Sequence, residues 1–132
     1  MSKENVEVVR RSNALLNIGD VDSAIDLLSP AVEWVVAREH PEARTLVGRE
    51  AVAAYQRDWQ KTFPNMHLKI ERVFDVGDKV VAIGIVGGTG SESGASLAVP
   101  LAILMTLRDG LITRCEEYLN PDEALKAAGL AG

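Results

Sequence analysis

With 132 residues, 47% of them hydrophobic and 25% charged, the chain has the size and composition of one domain, residues 1–132, able to bury a real core. A net charge of −5 with both signs interspersed excludes the basic stripe that a nucleic-acid partner needs, and no run approaches the ~18 apolar residues that cross a bilayer. One cysteine, Cys115, makes no internal disulfide and no zinc site by itself; with no signal-peptide core in MSKENVEVVRRS, the expected location is the cytoplasm.

Residues 4–18 carry Val6, Val9, Leu15 and Leu16 at helical spacing, with Arg10 and Arg11 on the outer side. Ser2 is placed to cap this helix and Gly19 to stop it. Asp20 caps a second helix, 21–28, with Val21, Ala24, Ile25 and Leu28 inward, and Ser29-Pro30 ends it. A β-branched strand with Trp34 follows at 31–37, then a polar loop, 38–47, that could overhang a cavity. Gly48-Arg49-Glu50 opens a third helix, along which Val52, Tyr55, Trp59 and Phe63 form one apolar stripe up to Pro64-Asn65.

Four strands come next. Residues 66–76 alternate Met66, Leu68 and Ile70 with His67, Lys69 and Glu71, a half-solvated strand. Residues 79–86 form another strand, and the glycine-rich 87–94, with Ser91 and Ser93, reads as a loose hairpin tip. Residues 97–119 are two long strands joined by Arg108-Asp109-Gly110. Asn120, Pro121 and Glu123 are placed as cap, first residue and box-like partner of a last helix, 121–128. This order predicts an α+β domain: a curved, mostly antiparallel sheet wrapped around three helices of the N-terminal half, with a short C-terminal helix.

The segments Asn17-Ile18-Gly19-Asp20, Leu28-Ser29-Pro30-Ala31-Val32-Glu33-Trp34, Gly48-Arg49-Glu50-Ala51-Val52, Val76-Gly77-Asp78-Lys79-Val80-Val81 and Leu107-Arg108-Asp109-Gly110-Leu111-Ile112 keep a familiar order and spacing. On them the chain resembles the nuclear transport factor 2-like superfamily, in particular its SnoaL-like and ketosteroid-isomerase-like small proteins. The resemblance implies a cone-shaped sheet enclosing a hydrophobic pocket, commonly in a homodimer. It does not imply one chemistry, since such folds serve isomerases, polyketide cyclases, hydrolases and binders alike. Ketosteroid isomerases use a carboxylate, a tyrosine and a protonated acid; the matching places here hold Trp34, Ser12 and Ile103, and a one-residue slip would bring Glu33 to the first. Steroid isomerisation by that mechanism is not expected.

Glu117 is the foremost candidate for acid–base work. It shares a strand face with Cys115 and Leu119, and the resemblance turns that face into the pocket beside Trp34 and Ile103. A carboxylate there is poorly solvated, the setting in which it moves protons near neutral pH. The alternative places Glu117 on an arginine or at the sheet's edge. His40, in the loop after the first strand, could reach over the pocket mouth as a proton shuttle. Tyr55 and Trp59 form part of the third-helix wall, where the Tyr55 hydroxyl could orient a bound carbonyl. Trp34, Trp59, Ile103, Cys115 and Leu119 are the expected ligand contacts, while Cys115 by its type also reads as a small buried apolar filler. No His or Cys spacing suggests a metal, and no cofactor is expected.

Two functions follow. One is a cofactor-free isomerase, cyclase or hydrolase acting on a small apolar or polyketide-like molecule; the other is a module that binds a hydrophobic ligand unchanged. A second polar side chain within reach of Glu117 would favour the first. If the chain dimerises through the final hairpin and the His67, Lys69 and Glu71 face, a partner should cover Leu104 and Thr106.

Overall fold

The computed structural model describes residues 2–90, 92 and 94–130. The side chain of Ser2, expected as a cap, and Ser91 and Ser93 of the expected hairpin tip lie outside the described residues. Helix α1 (Ser2–Asn17) ends before Gly19, and the Asp20 side chain accepts from the Ser23 backbone N–H at 3.0 Å to cap α2 (Val21–Ile25). Strand β1 (Leu28–Val35) and a short β2 (Thr45–Val47) precede α3 (Arg49–Thr62). Strands β3 (His67–Asp75), β4 (Lys79–Thr89), β5 (Ser96–Arg108) and β6 (Leu111–Tyr118) follow, then α4 (Pro121–Ala127).

The six strands form one sheet in the order β2-β1-β6-β5-β4-β3. The run β3 to β6 is an antiparallel meander, as the tight turns require. Asp109 and Gly110, with φ of 53° and 79°, make the turn between β5 and β6, and positive φ at both positions suits the right-handed twist of a hairpin. Strand β1 joins the other edge of β6 in parallel, pairing Trp34 with Cys115 and Val35 with Glu116. Bulges break the register in the β1–β6, β3–β4 and β5–β6 ladders and bend the sheet. At the β3–β4 bulge the Lys69 carbonyl comes so near Gly84 that a Cβ there would lie 2.0 Å from it, so only glycine fits.

Several boundaries differ from expectation for physical reasons. The second helix is shorter than 21–28, because Leu28 buries itself in the sheet opposite Ile112. Pro30 therefore lies inside β1, where the ladder with β6 is interrupted and no backbone donor is needed. The loop 38–47 contains β2, paired antiparallel to β1. The tip expected at 87–94 begins later: Gly87, Gly88 and Thr89 extend β4 opposite Leu97 and its neighbours, the long ladder outweighing the low strand preference of glycine. Glu123 makes no capping box; the Asn120 side chain accepts from Asp122 N–H, and Glu123 takes the guanidinium of Arg38 at 2.7 Å.

One face of the sheet, with Val32, Trp34, Val80, Met105 and Ile112, packs with Val9 of α1 and Val52 and Tyr55 of α3 in the main core. The opposite face holds a smaller cluster in which α4 covers Val81, Ile83, Ala102 and Leu104 through Ala124. Leu104, expected beneath a partner, is thus already buried to 1% exposure by the chain's own helix.

Candidate functional site

The inner face of the sheet and the helices leave between them a cavity of about 350 Å³, within the range that small organic ligands occupy. Its sheet wall is apolar, with Leu97, Val99, Leu101, Ile103 and Met105 of β5. Strand β5 supplies these alternate residues because one side of a strand faces one way. Helices α1 and α3 form the other wall, and the loop after β1 brings Glu39, His40 and Pro41 to the mouth.

Glu117 lies at the end of β6, where β1 has just left the ladder. Three donors converge on its carboxylate: Trp34 Nε1–H of β1 at 2.8 Å, the Tyr55 hydroxyl of α3 at 2.9 and 3.0 Å to the two oxygens, and the Ala37 backbone N–H at 3.2 Å. Ala37 follows the end of β1 and donates to the side chain instead of a strand. No arginine approaches Glu117: among the described residues no ion pair involves it. Tyr55 is itself buried, and burial first, then the charge of Glu117, pushes its phenol far above its ordinary value of 10.0. It therefore remains a hydrogen-bond donor throughout the neutral range.

The structure brings Trp34, His40, Tyr55, Trp59, Ile103, Glu117 and Leu119 together around this one cavity. Cys115 is a correction. It does not line the cavity but is wholly buried beneath it, because its registered neighbours Trp34 and Met105 carry longer side chains that reach the wall. Burial pushes its thiol well above the ordinary value, so it is held in the unreactive form. Glu33 points the other way and pairs with Arg114 at 2.6 Å on the exposed side, so Trp34 is the residue of β1 that faces inward. The Tyr55 hydroxyl is engaged by Glu117 rather than free for a ligand carbonyl.

His40 stands at the mouth with its ring 5.7 Å from Trp59, edge to face, and 6.3 Å from Tyr55. Its Nδ1 accepts the Glu42 N–H at 2.9 Å, which requires that nitrogen to be unprotonated and leaves Nε2 as the site for a proton. His67, expected at the surface, is exposed and also reaches the rim.

Ser12 and Gln56 carry roles that sequence reading did not give them. Both are buried, at 2% and 9% exposure, and both line the cavity. The signal was present: Ser12 interrupts the apolar stripe between Val9 and Leu16, and Gln56 stands one turn after Val52. Among the described residues no three His, Cys, Asp or Glu side chains are grouped as a metal site. None of their helices is long and apolar enough to cross a membrane.

Solved structures with this architecture are numerous. A protein of ketosteroid isomerase-like fold from Catenulispora acidiphila, in complex with trimethylamine, is 24% identical, with 94% of this chain and 93% of that one covered and a TM-score of 0.77. A candidate polyketide cyclase from Xanthomonas campestris pv. campestris is 23% identical over 96% and 98% of the two chains, with a TM-score of 0.79. A candidate SnoaL-like polyketide cyclase from Jannaschia sp. CCS1 has the same identity and TM-score over 99% and 94%. At such identities the likeness is one of fold. No curated protein matches the chain. The SnoaL-like domain matches residues 9–115, most of the sequence and every element from the middle of α1 into β6, and the chain belongs to that family.

Proposed function

We propose that this protein binds a small, largely apolar molecule in the cavity and moves a proton on it without a cofactor, with Glu117 as the base. The observation that carries this reading is the convergence of Trp34, Ala37 and Tyr55 on one cavity-facing carboxylate. Three donors, from β1, the chain just after it and α3, fix its direction, as a proton-transfer group requires. Trp34 and Tyr55 are positioning residues on this reading, and His40 exchanges the proton with water at the mouth. Glu117 would take a proton from carbon beside a substrate carbonyl, the electron pair moving onto the carbonyl oxygen. Ser12 O–H and the Gln56 amide, which line the same cavity, are the donors offered to that oxygen. A small-molecule role is in keeping with the Catenulispora protein of this fold, which was solved in complex with trimethylamine.

The test is deuterium exchange beside the carbonyl of small apolar ketones in D₂O, followed by proton NMR. The expected outcome is exchange above the buffer rate, slowed about a hundredfold or more in Glu117→Gln. Ketones that bind without exchanging would instead support a binding module, the reading favoured by the unbroken apolar wall of β5.

A further inference from the structure

The cavity's ionisable groups are unbalanced. Among the described residues its lining contains two carboxylates, Glu39 and Glu117, two imidazoles, His40 and His67, and no lysine or arginine. Glu39 is at the rim and half answered by Arg38 at 3.6 Å. His40 is held with Nδ1 as an acceptor, and exposed His67 has its Nδ1 turned to the Asn65 carbonyl at 3.2 Å, so neither ring answers Glu117. Among the described residues Glu117 is engaged only by the neutral groups of Trp34, Tyr55 and Ala37. A carboxylate offers about four lone-pair sites, and three donor protons face it, the single Tyr55 proton shared between the two oxygens.

Around this unanswered charge stand aromatic rings. Tyr55 and Trp59 meet at right angles with centroids 6.4 Å apart, and Trp34 lines the same cavity. Aromatic faces attract cations through their quadrupoles, and a carboxylate on a largely apolar wall attracts them further. The same field disfavours anions, for which this wall has no positive partner.

We propose that the cavity selects an organic cation: a small apolar molecule bearing a protonated amine, its nitrogen held beside Glu117 among Trp34, Tyr55 and Trp59 and its body along β5. This rests on the reading of the cavity as a small-molecule site and adds the charge of the occupant.

The experiment compares three shape-matched probes by calorimetry at about pH 7: N,N-dimethylbenzylamine, which is protonated, its uncharged carbon counterpart isobutylbenzene, and phenylacetate. The amine is expected to bind about tenfold tighter than the hydrocarbon, with phenylacetate weakest. Glu117→Gln is expected to erase the amine's advantage while leaving hydrocarbon binding intact. Trp59→Leu, which leaves the hydrogen bonds of Glu117 in place, is expected to reduce the advantage and serves if the first variant does not fold. Equal or tighter hydrocarbon binding, or an advantage that survives both variants, overturns the proposal and leaves the small-molecule reading standing. Failure of all three probes to bind overturns both.

Discussion

Tyr55 and Cys115 link the site to alkaline stability. Burial pushes the Tyr55 phenol far above 10.0 and the Cys115 thiol well above 9.0, and in both the Glu117 charge adds to it. Below about pH 9 both groups hold their protons whether the chain is folded or not, so their contribution is fully present. As pH rises past each ordinary value, the unfolded chain releases a proton that the folded chain keeps, and stability falls. The slope is about 1.4 kcal/mol per pH unit for each group until its folded value is reached. Urea unfolding between pH 8 and 10.5 should therefore show a midpoint that declines above pH 9, with Tyr55→Phe shallower above pH 10. A flat midpoint would contradict this account. At this scale the sequence displayed Tyr55, Trp59 and Glu117 through helix and strand period. It could not reveal that Tyr55 spends its hydroxyl on Glu117, because the two residues are 62 positions apart.

Among the elements, the β3–β4 pair carries the sharpest constraint. Gly84 faces the Lys69 carbonyl at the bulge, and a methyl group there meets backbone rather than a side chain that could swing away. Gly84→Ala should cost about 3 kcal/mol, seen as a lower urea midpoint, since the strand must shift or the bulge must move. A variant as stable as the parent would mean that the bulge relaxes freely. The helices and the four-strand meander were legible from period and turn chemistry. The end of the second helix was not, because Leu28 suits a helix face and a buried strand equally well and only its pairing with Ile112 decides.

For the whole molecule, α4 divides the outer face of the sheet. It covers Val81, Ile83, Ala102 and Leu104, and leaves Ile85, Ala98 and Pro100 exposed beyond it. The registered pairs Ile85–Pro100 and Gly87–Ala98 make these residues one apolar strip, bordered by Lys69. We expect homodimerisation through this strip rather than over Leu104. Light scattering at micromolar concentration should give twice the chain mass, and Ile85→Lys should shift the population to monomer. A monomeric parent protein would remove the expectation.

The sequence by itself determined the α+β class, the meander, the apolar face of α3 and that Glu117 shares a strand face with Cys115 and Leu119, because these follow from local period, turn residues and caps. That this face turns inward came only from the family resemblance. Only the tertiary structure decided that β1 lies parallel to β6. That pairing carries no local signature, since its partners are about 80 residues apart and joined through α3 and the whole meander. It alone brings Trp34 and Ala37 to Glu117 and sinks Cys115 below the wall. The site is a product of long-range register, and register is fixed by which faces can be buried together.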